Sequence, residues 1–443
     1  MKVFFYNLGC PKNLVESESM LTDLVARGHR TVSAPEDADV IIVNTCGFIK
    51  TAAQESIDTV LEAARIKEAS PGKKIVVAGC LTQRYRESLS QLLPEADIFI
   101  GVSETADLGR ILSEKDAGPL YCSPEPERRD INYRSRIILT PPHYAYVKIA
   151  DGCGRKCSFC TIPAIKGKYR SRSVGSIVEE CRNLAAEGVK EINLVAQDLT
   201  NYGFDKKKRG AGLLELIKAV SRISGISWIR LLYLFPGGMV NEVVDLMSDN
   251  EKLCPYLDLP FQHVDSRILK LMSRPHSEKQ IYSLIEYARK KIPGITLRTT
   301  LITGFPTETE KDFLKMLDFI GKIQFDKLGV FKYSNEEGTP AAALPGRVPE
   351  KEKAARQKKL MTLQREVSSG KNRARIGNEA AVIIDSSGAK RLKGRTRGDA
   401  PEIDGTVYMR NRGNADIGDI VRVRFTAARD YDMEGIIINE HGK

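Results

Sequence analysis

Three closely spaced cysteines follow the apolar run YAYVKIA near the middle of the chain. Cys153, Cys157 and Cys160 have the spacing C-x3-C-x2-C within the segment DGCGRKCSFC. Thiolates at this spacing can bind three irons of a 4Fe–4S cubane and leave the fourth iron open to chelate a substrate. Structural zinc is the alternative, but it needs four ligands, and the nearest histidine, His143, precedes the strand. We therefore favour an iron–sulfur cluster, with Phe159 beside it.

Three further cysteines occupy equivalent places in the first part of the chain. Cys10, Cys46 and Cys80 end the apolar runs KVFFYNLGC, VIIVNTC and KIVVAGC. Any one of them alone is most often a small buried residue. Ligands of open α/β sheets gather at the carboxyl edge, where neighbouring parallel strands lie about 4.8 Å apart. The three positions together predict a second cluster, and we interpret the PKN that follows Cys10 as a turn that orients its sulfur.

The nine cysteines also bear on the redox environment of the protein. We expect a cytoplasmic protein, because the N-terminal apolar stretch is too short for a secretory signal and many free thiols require reducing conditions. No apolar run approaches the roughly 18 residues that span a membrane. Cys122, Cys181 and Cys254 lack a comparable arrangement, and we interpret them as structural.

Polar residues at other predicted strand ends are candidates for a pocket that binds cofactor and substrate. These candidates are Gln197, Asp198, Gln262, His263, Gly304 and Glu308. Each could instead be a loop or helix-capping residue, and a structural role is the more common one for His263. The segment TETEKDF predicts a helix start capped by Thr307, with Glu310 three residues later.

Strand and helix patterns alternate over most of the chain, which predicts an α/β protein. The first part has four buried-strand runs separated by helices, typical of a parallel sheet. Six further strand–helix units predict a partial (β/α) barrel whose site lies at the C-terminal ends of its strands. A charged amphipathic helix follows, and short strands with glycine and aspartate turns then predict a small antiparallel β-barrel. The boundaries we expect are 1–122 for the N-terminal domain, 123–142 for a linker, 143–375 for the partial barrel with its following helix, and 376–443 for the terminal barrel.

Positive charge is concentrated in two places. The net charge is +11, and both the predicted helix at 350–375 and the segment DKKKRG at 205–210 are rich in Lys and Arg. Such patches indicate a polyanionic partner such as RNA or a ribosome, or simply a solvated surface. Charge alone does not separate these alternatives.

The motifs GCPKN, NTCGFI, VAGCLTQRY and DGCGRKCSFCTIP, together with the terminal barrel, resemble the methylthiotransferases of the radical S-adenosylmethionine superfamily over essentially the whole chain. The barrel is similar to the TRAM domain. The resemblance implies that the central cysteines hold the 4Fe–4S cluster that cleaves S-adenosylmethionine, and that the N-terminal cysteines hold an auxiliary 4Fe–4S cluster. It also implies two molecules of S-adenosylmethionine per turnover, one to methylate sulfur and one to generate the 5′-deoxyadenosyl radical that removes hydrogen.

Two branches of this family differ in substrate. One modifies adenosine in transfer RNA, and the other modifies the β-carbon of an aspartate in ribosomal small-subunit protein twelve. GCPKNLVESE, NTCGFIKTAAQESI and GRTRGDAPEIDGTVY resemble the second branch. Its carboxylates Asp399, Glu402 and Asp404 suit the docking of a basic ribosomal protein. Thr307 departs from the family pattern, which has glycine after GFP.

The resemblance to the second branch implies a set of partners. They are ribosomal protein twelve, free or in the assembling small subunit, an electron donor such as flavodoxin, and a sulfur donor; no membrane is expected. The basic helix keeps the transfer RNA branch open as an alternative. A zinc-stabilised RNA-binding protein is the alternative that is not an enzyme.

Overall fold

The computed structural model describes residues 1–114, 118–126, 133, 136–206, 212–411, 413 and 415–438. They form a parallel-sheet unit, a central barrel-like unit and a closed β-barrel. The predicted fold class is confirmed. None of the helices in the described part of the chain combines the length and apolar character needed to cross a lipid bilayer.

The N-terminal unit is a parallel sheet with helices on both faces. Its strands are β1 Lys2–Asn7, β2 Arg30–Thr31, β3 Val40–Thr45, β4 Lys74–Gly79, β5 Ile98–Ile100 and β6 Leu120–Tyr121. Its helices are α1 Pro11–Ala26, α2 Lys50–Ala69, α3 Cys80–Leu92 and α4 Leu108–Ser113. The strand order is β2-β1-β3-β4-β5-β6, so the three strands that precede the cysteines are neighbours. Apolar side chains alternate between the two faces, with α2 and α3 on one face and α1 and α4 on the other.

The central unit contains the six predicted strands, which confirms that part of the pattern, and in addition one short pair of strands. Its strands are β7 Tyr144–Lys148, β8 Ala150–Asp151, β9 Arg170–Ser171, β10 Glu191–Val195, β11 Trp228–Leu232, β12 Tyr256–Asp258, β13 Thr296–Thr303 and β14 Lys327–Lys332. The additional short pair is β8 and β9. Its helices are α5 Ile162–Lys166, α6 Val174–Ala186, α7 Gly212–Ser221, α8 Met239–Ser248, α9 Ser266–Leu271, α10 Glu278–Lys291 and α11 Glu310–Ile323. The parallel sheets β11-β10-β7 and β12-β13-β14 meet where Ile229 bridges Leu253.

The predicted charged helix is α12, Glu350–Ala374, and it leads into the terminal barrel. The barrel strands are β15 Glu379–Ser387, β16 Arg391–Thr396, β17 Val407–Arg410, β18 Ile420–Ala428 and β19 Met433–Ile437. They close in the order β15-β16-β17-β19-β18, and β17 pairs with β19 in parallel. The expectation of a purely antiparallel barrel is therefore wrong in this one pair. Alternating directions cannot close a ring with an odd number of strands without one parallel contact.

The predicted linker and one basic cluster lie only partly within the described residues. Residues 127–132, 134–135 and 207–211 lie outside them. Two described residues of the linker, Tyr133 and Arg136, are buried. Arg136 pairs with Glu18 of α1 at 3.0 Å and with Glu180 of α6 at 3.1 Å.

The acidic residues of the terminal barrel attach it to the central unit. Asp399 accepts from Lys327 at 2.6 Å, Asp404 accepts from the Tyr256 hydroxyl at 2.6 Å, and Glu402 accepts from the Tyr144 hydroxyl at 2.7 Å. Burial alone would raise the pKa of Asp399, but the Lys327 ammonium outweighs it and lowers that pKa to about 2. The expectation that these carboxylates dock a basic protein is wrong for Asp399 and Asp404, whose side chains are buried on intramolecular partners, whereas Glu402 is exposed and its docking role stays a prediction.

The start of α11 differs from the sequence prediction by two residues. Thr309, and not Thr307, caps the helix, and it forms a capping box with Asp312. Thr307 has a φ of +69°. A β-branched residue is strained in this left-handed conformation, which glycine adopts freely. The departure from the family's glycine therefore places a strained residue in this loop.

We expect Thr307→Gly to raise the free energy of unfolding by about 1 kcal/mol, because it relieves this strain. The variant loses the hydrogen bond from Arg267 to the Thr307 hydroxyl but keeps the one from Arg267 to the Thr307 carbonyl. Thr309→Ala is the matched comparison, and loss of the cap should lower stability by about 1 kcal/mol. Urea unfolding measures both changes, and a destabilised Thr307→Gly variant would contradict the strain argument.

Candidate metal centres and cofactor pocket

The N-terminal cysteines lie at one edge of the sheet. Cys10 is the N-cap of α1, Cys46 directly follows β3, and Cys80 is the first residue of α3. The three segments pack very closely: a Cβ at Gly9 would lie 2.8 Å from the Cβ of Cys46, and one at Gly47 would lie 2.9 Å from the Cα of Leu81. The glycines beside the cysteines therefore let the backbones approach each other.

The PKN segment is the first turn of α1, so the interpretation of a separate turn is wrong. Proline suits the first helical position because its missing N–H has no helical partner there. Asn13 is buried and connects the three cysteine segments. Its side-chain amide donates to the carbonyls of Leu8 (3.1 Å) and Thr45 (2.9 Å), and the Cys80 thiol donates to its Oδ1 (3.7 Å).

The central cysteines lie on the loop between β8 and β9, after the first strand of the barrel. The Cys160 N–H donates to the carbonyl of Cys157 at 3.2 Å. Ser158 fixes the loop to the end of α9, because its hydroxyl donates to the carbonyl of Leu271 at 2.7 Å. Phe159 is half-buried and packs on an apolar cluster that includes Phe305 and Tyr333.

The segments that directly follow the two cysteine trios touch each other at the boundary between the units. Thr161, directly after Cys160, donates its hydroxyl proton to the carbonyl of Phe48, two residues after Cys46, at 2.9 Å. Glu16 of α1 strengthens the same contact through buried ion pairs. It binds Lys166 of α5 at 2.7 Å and Lys148 of β7 at 2.9 Å.

Burial keeps several of the cysteine thiols in the protonated form. Burial raises the pKa of both Cys80 and Cys160 to about 12, and it raises the pKa of Cys46 and Cys153. Metal binding deprotonates such thiols outright. Among the described residues no three Cys, His, Asp or Glu side chains converge on a single ion. The thiolates that hold a cubane cluster lie further apart than the ligands of a single ion, because each thiolate binds a different iron.

Two of the predicted pocket residues offer free polar atoms. The side-chain oxygens of Gln197 and Gln262 are buried and have no hydrogen-bond partner among the described residues. They lie just beyond the C-terminal ends of β10 and β12. A buried polar atom without a partner is costly, so these oxygens fit a polar ligand such as the amino group of S-adenosylmethionine.

The other predicted pocket residues have internal partners. Asp198 accepts from Arg155 at 2.7 Å and so holds the loop that carries the central cysteines. Glu308 accepts from the Gly304 N–H at 2.9 Å and from Arg356 of α12 at 2.7 Å, and His263 lies 3.5 Å from it. These contacts support roles in positioning neighbouring residues. The side chains that contact the cofactor would then be other ones.

Two cations near the trios were missed by the sequence reasoning. Arg274 stacks on Phe235 at 4.5 Å, opposite Arg155 at 3.9 Å, and its Nε and Nη1 are buried without a partner in the described part of the chain. Lys12 is buried beside Cys10. The only sequence signal was their position in GCPKN and SRPHS. This signal is weak, because lysine and arginine in loops are usually solvated.

Three family models match the chain. They are the uncharacterized protein family UPF0004 at residues 2–101, the Radical SAM superfamily at residues 147–320, and the TRAM domain at residues 376–438. The Radical SAM match implies S-adenosylmethionine and a 4Fe–4S cluster.

Solved structures show the same fold at low sequence identity. A TsrM radical S-adenosylmethionine methyltransferase from Kitasatospora setae, with tryptophan and a SAM analogue, aligns with a TM-score of 0.54 at 14% identity and covers 74% of this chain and 72% of that chain. The cobalamin-dependent radical enzyme OxsB aligns with a TM-score of 0.51 at 12% identity, over 77% of this chain and 54% of that chain.

Curated relatives match along the full length. Proteins named ribosomal protein uS12 methylthiotransferase RimO are 46% identical in Geotalea uraniireducens, over 99% of this chain and 98% of the relative. The identity is 46% in Geobacter sulfurreducens, over 99% of both chains. It is 43% in Clostridium botulinum, over 100% of this chain and 99% of the relative. The predicted resemblance is confirmed: the chain belongs to the RimO family of ribosomal protein uS12 methylthiotransferases, within the radical SAM superfamily.

Proposed function

We propose that this chain transfers a methylthio group to the β-carbon of an aspartate in ribosomal protein uS12. The observation that carries the proposal is its relationship to proteins of that name, at 46% identity over 99% of the chain. The contact between the segments that follow the two cysteine trios supports it, because the sulfur donor and the site of hydrogen removal must lie close together. In this proposal residues 1–122 carry the sulfur, 143–375 activate the substrate, 123–142 connect them, and 376–443 form the terminal barrel.

Cys153, Cys157 and Cys160 would hold one 4Fe–4S cluster, and Cys10, Cys46 and Cys80 a second. When bound, the first supplies the electron that cleaves S-adenosylmethionine and the second holds the sulfur to be transferred, with two S-adenosylmethionine molecules used per turnover. Because electrons and sulfur come from outside the chain, we include an electron donor such as flavodoxin and a sulfur donor among its partners.

The chain's own side chains would orient the reactants and exclude water. The buried oxygens of Gln197 and Gln262, which have no partner among the described residues, would accept hydrogen bonds from S-adenosylmethionine. Asp198 and Arg155 fix the central cysteine loop. Glu16 and Lys166 hold the two cysteine edges together and close the boundary to solvent. Preorganised polar groups of this kind act strongly in a dry site.

The alternative substrate, an adenosine of transfer RNA, depends on the basic helix α12. Several of its cations have intramolecular partners. Lys353 donates to the carbonyl of Tyr333 at 2.9 Å, Arg356 pairs with Glu308 at 2.7 Å, and Lys371 pairs with Asp326 at 2.6 Å. The helix therefore supports an RNA partner less than its composition suggests, and uS12 remains the favoured substrate.

Incubation of the anaerobically reconstituted protein with uS12, S-adenosylmethionine, dithionite as reductant and sulfide as sulfur donor is expected to replace one hydrogen of uS12 by a methylthio group. Mass spectrometry of uS12 and its fragments detects the gain in mass and assigns it to an aspartate. Cys157→Ala should abolish it, while Cys181→Ala, in the core of the same unit, should retain it. A gain on transfer RNA nucleosides with none on uS12 would overturn the proposal.

A further inference from the structure

Lys12 is a buried cation in an electrostatically unfavourable place. Its side chain is only 7% exposed, and it is the second residue of α1, a helix of 16 residues with no acidic side chain in its first turn. A helix N-terminus carries partial positive charge and favours anions. A lysine buried there raises the local positive potential, so the site attracts a negatively charged group.

The surroundings of Lys12 provide a ring but no carboxylate partner. Its Nζ lies 3.5 Å from the centroid of the Tyr233 ring, and its other electrostatic neighbours are Cys10 and Asp258. Asp258 is already engaged, because it accepts from Arg298 at 2.9 Å and from the Tyr233 N–H at 2.9 Å. Among the described residues no carboxylate oxygen forms an ion pair with Lys12. A buried ammonium without a carboxylate partner is costly, and a bound anion would lower that cost.

The position of Lys12 points to the substrate. Tyr233 directly follows the C-terminal end of β11, so Lys12 lies between the Cys10 edge and the mouth of the barrel. The reacting carbon must enter this space to receive sulfur from one side and lose hydrogen to the other. In an aspartate the β-carbon is bonded directly to the side-chain carboxylate, so a contact that fixes the carboxylate also fixes the β-carbon.

We propose that Lys12 binds the side-chain carboxylate of the target aspartate and thereby selects aspartate over its neutral isostere. The inference rests on the proposed function, whose substrate it specifies. S-adenosylmethionine also carries a carboxylate, but Gln197, Gln262 and the partnerless nitrogens of Arg274 lie on the barrel side, whereas Lys12 lies on the N-terminal side beside Cys10.

The test is equilibrium binding of two synthetic peptides to the reconstituted holoprotein. Both carry the uS12 sequence around the target, one with aspartate and one with asparagine at that position. A charge-assisted contact should make the wild type bind the aspartate peptide about 10- to 100-fold more tightly. Lys12→Met, whose unbranched side chain can still pack on Tyr233, should bind both peptides equally, and Lys12→Arg should restore the preference.

Lys311→Met is the matched control, because Lys311 is also the second residue of a helix but is exposed. It should keep the wild-type preference. A Lys12→Met variant that still prefers the aspartate peptide would overturn the inference, as would a wild type with no preference. Weakened binding of S-adenosylmethionine with the peptide preference intact would assign the contact to that carboxylate instead. Failure of the proposed function is distinguishable, because it appears as absent methylthio transfer by the wild type.

Discussion

Replacing Cys10 by alanine is expected to abolish methylthio transfer and to lower the iron content of the reconstituted protein from about eight to about four atoms. Cys10 is one of three thiols at the carboxyl edge of neighbouring strands, and its N-cap position has no side-chain capping bond that the change would remove. The loss should therefore reflect a missing ligand with the fold retained. Iron analysis and visible absorption measure it.

Cys122→Ala provides the matched control for this experiment. Cys122 is a half-buried free cysteine of the same unit, next to Gly101, and its thiol donates to the carbonyl of Thr82 at 3.9 Å. Its replacement should leave about eight irons and full transfer. Iron content that is unchanged in Cys10→Ala, or reduced equally in Cys122→Ala, would contradict the assignment of the trio as a separate cluster site.

Glu16→Gln is expected to lower the free energy of unfolding by about 3–5 kcal/mol. Glu16 is buried, and its two oxygens bind Lys166 at 2.7 and 2.8 Å, while one of them also binds Lys148. Lys148 keeps Asp151 at 2.9 Å, but Lys166 would lose its close carboxylate. An uncompensated buried ammonium between the units should also impair transfer. The urea midpoint measures stability, and Glu68→Ala on the exposed face of α2 should shift it by less than about 0.5 kcal/mol.

The same variant gives a pH test with a definite sign. Burial alone would raise the pKa of Glu16, but Lys148 and Lys166 outweigh it and hold that pKa below its ordinary value. A carboxyl with a lowered folded-state pKa stabilises the protein above its unfolded pKa of about 4, and this stabilisation is lost as the pH falls further. Wild-type stability should therefore decline more steeply than that of Glu16→Gln below about pH 4. Parallel declines would show that Glu16 is not held ionised by its partners.

Much of the candidate site was predictable because it depends on local pattern. The C-x3-C-x2-C spacing lies within a single loop, and the positions of Cys46 and Cys80 follow from apolar runs that end at the same sheet edge. The errors were also local: the helix start at Pro11 and the cap at Thr309 each lay a few residues from the predicted place. Competing short-range signals at helix ends differ by little free energy, so such boundaries are hard to place.

The succession of strands and helices along the chain and the placement of the cysteines followed from the sequence, because periodicity and spacing are properties of neighbouring residues. The partners of the ionisable groups did not. Lys12, Glu16 and Arg274 look like solvated residues in the sequence, and Asp399 and Asp404 look like a docking surface, yet all five side chains are buried. Burial depends on which distant elements pack together, and so do the energies of buried charges. The three-dimensional packing therefore decided how the two cysteine edges are held and where a substrate carboxylate would bind.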